Sequence, residues 1–402
     1  MLLRYGKRLL RALLRAPQRL HAAALARDMS KQEPNLDTVV IVTGRASHSR
    51  CYKLAYGLKL CNYKVILLHS DQGFSHFDEK IKSLFDEILI YNSPEDALIK
   101  AIRYRPIAYH ILCCWNYDVA EFFIQVKPGF VVVDTFDVIG GFVRPDILSN
   151  NPFIERVERF CLENSDGICC RDLRTQYLKQ HLGYRLSARL FWPEYCWPTG
   201  FTARLSKRLA DKHVAYVGGM ELDPDSSVAF QYDLALLLSK AGIHFHIYPP
   251  LHSQIPELKC RMSNVVPSEL MKYVHLHDPV SFIDLAKELR TYHVGVLIWN
   301  FDNCHDTYHA FMDDYLLAAK LFDYHEAGLL CLTQKMRLAK HIFPKNGAVR
   351  EVHSLEEIVE IVSNMEIREI EVEPKLRIDY HAHRLPEFYL RLYNQRLKRA
   401  GS

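Results

Sequence analysis

Tyr315-Leu-Leu-Ala-Ala-Lys320-Leu-Phe-Asp323-Tyr-His-Glu-Ala-Gly328-Leu-Leu-Cys-Leu-Thr333 reads as a helix, a stop and a strand in succession. Leu316, Leu317, Ala319, Leu321, Phe322 and Ala327 give a largely apolar helix free of proline, and Gly328 stands where a helix C-cap belongs. The apolar run Leu329 to Leu332 predicts a short strand covered on both faces, as in a parallel sheet. Lys320 and Asp323 are three residues apart, close to one face of the helix. They can reach one ligand together, a cation for a phosphate and a carboxylate for sugar hydroxyls. They can also reach each other, in a helix salt bridge worth roughly 0.2–0.5 kcal/mol.

Upstream, Lys212 to Val217 predicts a strand, Gly218-Gly219-Met220 a turn, and Ser226 to Ala241 a helix. Two glycines at a helix N-terminus free backbone amides that can hold a diphosphate, although Glu221 and Asp223 follow closely. Strands at Gly242 to Tyr248 and Tyr292 to Trp299 flank Val274-His-Leu-His277-Asp-Pro279 and the helix Phe282 to Leu289. The first half of the chain has the same alternation. Thr38 to Thr43 is a strand ending in the turn Gly44-Arg45-Ala-Ser-His48-Ser-Arg50, with a helix through Tyr52 to Leu60 and a strand Lys64 to His69 behind it. Further strands are predicted near Glu87 to Tyr91, His110 to Cys114 and Phe130 to Asp134. Asp134 and Asp137 follow the last of these, at the carboxyl end where α/β sheets collect ligands. Asp137 there is either a general base or the cap of the next turn. Alternating strands and helices throughout predict an α/β protein of two doubly wound, Rossmann-like domains facing a cleft. The expected divisions are residues 1–35, a basic helix and linker; 36–205, the first domain; 206–375, the second; and 376–402, a terminal helix crossing back, with the interdomain linker near 195–211.

The string from Lys320 to Leu332 resembles the donor-site helix of nucleotide-sugar glycosyltransferases of the GT-B fold, in particular the large group 1, family 4-like class. These carry a Lys, an acid three positions later, then Ala-Gly before a hydrophobic strand. The resemblance implies that Lys320 holds the donor diphosphate and Asp323 the ribose hydroxyls, with Gly218, Gly219 and His277 also on the donor side. It implies acceptor contacts from Arg45, His48 and Arg50, and a catalytic carboxylate at Asp137 or Asp134. Two departures stand out: Asp323 replaces the family's usual Glu, and Tyr315 occupies the position where retaining members often have a second Glu. The implied activity is metal-independent transfer of a hexosyl or related sugar from a nucleotide-diphosphate sugar to an acceptor hydroxyl, with no cofactor beyond that substrate. The alternatives are a nucleotide-sugar 2-epimerase, which shares the fold, and a non-catalytic GT-B-like protein that binds membranes or partners.

Residues 1–27 carry seven basic side chains and no acid, leaving 44 basic against 47 acidic residues elsewhere. A body near −3 argues against nucleic-acid binding. Leu2, Leu3, Leu9, Leu10, Leu13 and Leu14 gather near one side of a helical wheel with Arg and Lys over the rest. That composition suits a helix lying on an anionic membrane surface, and it also suits a mitochondrial transit peptide or a packing helix. Pro17 and Ser30 to Asn35 read as hinge and linker. Eleven cysteines, in adjacent pairs or apolar singles and without Cys-x-x-Cys, read as reduced thiols of a cytoplasmic protein, peripheral on the inner face of the plasma membrane. A lipid-linked or surface-polysaccharide acceptor would fit that location. His244/His246 and His275/His277 would each put two imidazoles on one strand face, but with no third ligand nearby in the sequence neither predicts a metal site.

Overall fold

A computed structural model describes residues 2–44, 49–70, 79–113, 117–142, 152–198, 209–219, 230–249, 252–280, 282–298, 314–343, 347–366, 370 and 372–400. Arg45 and His48, and the acidic residues after Gly219, lie outside these residues. The chain forms two compact units, one from residues 1–192 and 381–402 and the other from 193–380.

The first unit holds a seven-stranded parallel sheet of β1 (Asn35–Thr43), β2 (Lys64–Ser70), β3 (Glu87–Tyr91), β4 (Pro106–Cys113), β5 (Val131–Thr135), β6 (Gly167–Cys170) and β7 (Ala188–Phe191). Its order, β3-β2-β1-β4-β5-β6-β7, reverses direction between β1 and β4, as in a doubly wound sheet. Every residue of β4 and β5 is buried. That explains their unbroken apolar reading, since both faces are covered by helices. The helix Leu2–Met29 runs through Pro17 without a break, so the hinge expected at Pro17 is not present. Its second half is held after the proline: Ala22 and Ala26 are fully buried in the core, and Arg19 lies 3.6 Å from Glu95 and 5.3 Å from the ring of Phe122. The terminal helix Arg384–Ala400 belongs to this unit, with Leu385, Phe388, Tyr389 and Leu392 buried. Gly167 in β6 is obligatory there, because a Cβ would stand 2.7 Å from the Phe388 ring.

The second unit holds a six-stranded parallel sheet of β8 (His213–Val217), β9 (His244–Tyr248), β10 (Val274–Leu276), β11 (Val294–Leu297), β12 (Leu330–Thr333) and β13 (Val349–Glu351). Its order, β10-β9-β8-β11-β12-β13, reverses between β8 and β11. One face is an apolar core of Val214, Phe245, Ile247, Leu234, Leu238, Leu258 and Ile358. The other face carries an unusual run of histidines. The two segments by which the chain enters and leaves this unit are bonded together: Cys196 donates its amide to the Leu376 carbonyl at 2.8 Å and accepts from Ile378 at 2.9 Å. The helix expected from Tyr315 begins only at Ala319, because Ala318 is extended (φ −73°, ψ 136°), and Gly328 ends it in the left-handed region at φ 73°.

Candidate functional site

β8 delivers the chain to Gly218 and Gly219, and the helix Ala319–Glu326 starts beside that turn. Gly218 has φ 127°, a conformation that favours glycine, and a Cβ there would strike the Lys320 ammonium. Lys320 lies with its Nζ 4.7 Å from the centre of the Tyr216 ring. Tyr216 is fixed by donating its hydroxyl to the Gly219 carbonyl at 2.6 Å. Tyr324, one turn after Lys320, accepts from the Val217 amide at 3.1 Å and donates to the Val296 carbonyl at 3.2 Å, tying the helix to β8 and β11. Gly295 in β11 makes room for that ring, since a Cβ there would overlap it.

Among the described residues Lys320 makes no ion pair, and the salt bridge with Asp323 is not formed. Burial pulls the Lys320 pKa down to about 8, opposed only by the charge of Asp323. A cation held by a glycine turn and an aromatic face, with no ion pair among the described residues, has the chemistry to receive an anion. Asp323 lies half-buried on the same helix.

The carboxylates of the first unit separate into different roles. Asp134 is fully buried, with Arg50 Nε at 2.5 Å from Oδ1 and His110 Nε2 at 2.9 Å from Oδ2. Arg50 also donates to the Trp192 carbonyl at 2.9 Å and to Cys169 Sγ at 3.4 Å, and His110 Nδ1 is 2.7 Å from the Tyr389 hydroxyl. Burial alone would raise the Asp134 pKa, but Arg50 and His110 outweigh it and hold it at about 2. The structure therefore corrects two readings: Arg50 is not an acceptor contact and Asp134 is not a general base, because each is spent on the other inside the core. His110, Asp134 and Cys169 also converge closely enough to ligate a cation, but the Arg50 guanidinium fills that role.

Asp137 stays near the surface, its side chain 15% exposed, with Arg171 and Arg174 at 3.6 and 3.5 Å from Oδ1. Arg174 is fixed by Asp172 at 2.8 Å and the Phe136 carbonyl at 2.7 Å, and Arg171 stacks over the Phe136 ring at 4.3 Å. The amides that open the next turn are capped by Glu158, which accepts from Ile139 and from Gly140, the latter at 3.0 Å. Burial pushes the Glu158 pKa up to about 7, well above the ordinary 4.5, against these hydrogen bonds. Folding thus favours the neutral acid. The contribution of Glu158 is complete below the unfolded value and is lost as pH rises through 7. Chemical denaturation from pH 5 to 8 should therefore show wild-type stability declining across that window. Glu158→Gln should flatten the decline, at the cost of about 1 kcal/mol for an imperfect cap.

His277, expected on the donor side, has its Nε2 2.9 Å from His246 Nδ1 and its ring stacked on Tyr248 at 4.2 Å, and it is half-buried on the sheet face. Tyr216, Tyr324, Arg171, Arg174 and Glu158 were not read from the sequence as parts of a site. Only Tyr216 and Tyr324 offered a signal, by standing two residues before Gly218 and one after Asp323.

No protein-family model matches the chain, and no curated protein matches it. Solved structures do. Sucrose-phosphate synthase from Thermosynechococcus elongatus superposes with a TM-score of 0.63 at 10% identity, over 89% of this chain and 100% of that one. A glycosyltransferase from Rickettsia africae ESF-5 gives 0.62 at 9% identity, over 89% and 99%. UDP-GlcNAc 2-epimerase from Methanocaldococcus jannaschii gives 0.52 at 10% identity, over 87% and 98%. The chain has the fold of these proteins.

Proposed function

We propose that this GT-B-fold protein is a glycosyltransferase that moves a sugar from a nucleotide-diphosphate donor to an acceptor hydroxyl. The observation that carries the reading is Lys320: an ammonium without an ion pair among the described residues, against the Gly218 turn, on the same helix as a half-buried carboxylate. Lys320 binds the diphosphate and stabilises the charge that develops on it as the glycosidic bond breaks. Asp323 accepts hydrogen bonds from the ribose hydroxyls. In the first unit Asp137 takes the acceptor proton, with Arg171 and Arg174 holding its carboxylate in place. Asp137 replaces the alternative of Asp134, which the core consumes. No cofactor is assigned, and the nucleotide sugar is a substrate.

Thermal shift with uridine and guanosine diphosphates, followed by a screen of donor hydrolysis across nucleotide sugars, tests this directly. A stabilising diphosphate and slow hydrolysis of one donor support transfer, and no shift at saturating diphosphate removes the donor site. The likeness to a UDP-GlcNAc 2-epimerase supports the second reading, nucleotide-sugar epimerisation. Conversion of the donor to its 2-epimer without an acceptor would establish it in place of transfer.

The acceptor we assign is lipid-linked or part of a surface polysaccharide, met at the cytoplasmic face of a membrane. The seven basic residues of 1–27 and their leucine stripe support that location. No described helix is long and apolar enough to cross a membrane. Deletion of residues 1–16 should reduce sedimentation with anionic vesicles by about an order of magnitude or more, since each basic residue near the surface contributes about 1 kcal/mol. Neutral vesicles should show little binding by either form.

A further inference from the structure

The histidines of the second sheet form one array. β8, β9 and the edge strand β10 place His213, His244, His246, His275 and His277 on a single face, with His213 directly opposite His244 and His246 directly opposite His275. The opposed rings stack, at 4.6 and 4.4 Å between centres. The diagonal neighbours meet nitrogen to nitrogen: His244 Nδ1 to His275 Nε2 at 2.8 Å, His246 Nδ1 to His277 Nε2 at 2.9 Å, and His213 Nδ1 to His246 Nε2 at 2.8 Å. Among the described residues no carboxylate is hydrogen-bonded to any of the five rings. Of the acids near these rings, Asp211, Asp278 and Glu288, the last accepts from the Tyr248 hydroxyl. Two chain segments, each too poor in ligands to suggest a metal from sequence, are thus completed by each other and by a fifth imidazole from β8.

We propose that the paired imidazoles bind first-row transition metal ions, with His244/His275 and His246/His277 as two-nitrogen ligand sets and His213 orienting His246. Two nitrogens on one ion with bonds of about 2.0–2.1 Å stand about 2.9 Å apart at a right angle and about 3.3 Å apart at a tetrahedral one. The observed separations match the first, the angle preferred by Cu²⁺ and Ni²⁺ in nitrogen sites, and are a small movement from the second, which suits Zn²⁺. Solvent can complete the coordination, because His244, His275 and His277 are only half-buried. Binding needs no net proton loss. In each pair the hydrogen shared between the facing nitrogens moves to the other nitrogen of its own ring, and both facing lone pairs turn to the ion. For His246 that proton then lies on Nε2, and the His213 proton shifts to its own Nε2 so that His213 Nδ1 accepts it, the outer contact that commonly fixes a ligating imidazole. An ion here would link edge strand β10 to β9.

Untagged full-length protein stripped with chelator, dialysed separately against Cu²⁺, Ni²⁺ and Zn²⁺ and assayed for bound metal, tests the site. Wild type and a control carrying His341→Gln and His353→Gln, both exposed elsewhere, should bind alike and melt at a higher temperature with metal. His244→Gln combined with His246→Gln should weaken binding at least tenfold. Equal binding by that variant, or no binding by wild type, overturns the proposal. If the double variant does not fold, His275→Gln and His277→Gln on the edge strand are compared singly. The Cu²⁺ electron paramagnetic resonance spectrum of wild type should show coupling to nitrogen ligands, and its absence also overturns the proposal.

Discussion

Lys320→Ala is expected to lower donor turnover by about 10²–10³, the effect of removing one preorganised partner for transition-state charge. The diphosphate-induced thermal shift should disappear with it, while the melting temperature without ligand stays the same or rises slightly. That combination follows from its surroundings. Lys320 makes no ion pair among the described residues, and its environment costs it protonation, so removing the ammonium breaks no ion pair there and gives up the contacts with the Tyr216 ring and the Gly218 backbone. A structural lysine would show the opposite pattern, with lost stability and retained binding. Lys320→Arg should rescue poorly, because the amine already fills the space above Gly218 and a guanidinium is wider. The pH profile gives an independent check. With a pKa of about 8 in the free protein, the ammonium is present below that value, so diphosphate affinity should be level below pH 7 and fall as pH rises through 8. Binding raises that pKa, so the affected window should extend upward in the complex. The profile of Lys320→Ala should be flat over the same range.

Much of this arrangement was legible without coordinates. The helix, glycine and strand of the opening stretch, and the glycine turn after Val217, are local patterns set by periodicity and by φ, so they survive being read one residue at a time. Lys320 and Gly218 were each visible, but not their contact, which depends on β8 and the helix meeting across 102 residues of chain. The failures are of the same long-range kind. Arg50 and Asp134 read as positions at the carboxyl ends of strands where ligands gather, and nothing in the sequence around either announces that they pair across 84 residues. His277 was legible as sharing a strand face with His275, but not its contact with His246, which lies on the neighbouring strand. Ala318 is extended where propensity favours helix, an override by the packing of Leu316 and Leu317 into the core.

Arg50→Ala and Asp134→Asn should each destabilise the first unit by about 3–5 kcal/mol, measured by denaturant titration. Both side chains are excluded from water, so removing either leaves the other as an uncompensated buried charge, and the Trp192 carbonyl or His110 loses its partner as well. Replacing both together with apolar residues, Arg50→Met with Asp134→Leu, should recover a large part of the loss, since the cost of a broken pair lies in the stranded partner more than in the missing attraction. Recovery would be incomplete: His110 and Tyr389 would still be bonded to each other at 2.7 Å, but His110 Nε2 would have lost its acceptor. Turnover separates this account from a catalytic one. At a temperature where each variant is folded, the double variant should retain donor turnover within a few-fold of wild type, whereas Asp137→Asn should lower it by about 10²–10⁴, the range for removing a general base. If the Arg50/Asp134 double variant were folded and inactive while Asp137→Asn remained active, the base would be Asp134 after all. The core of the first unit would then have to open during turnover.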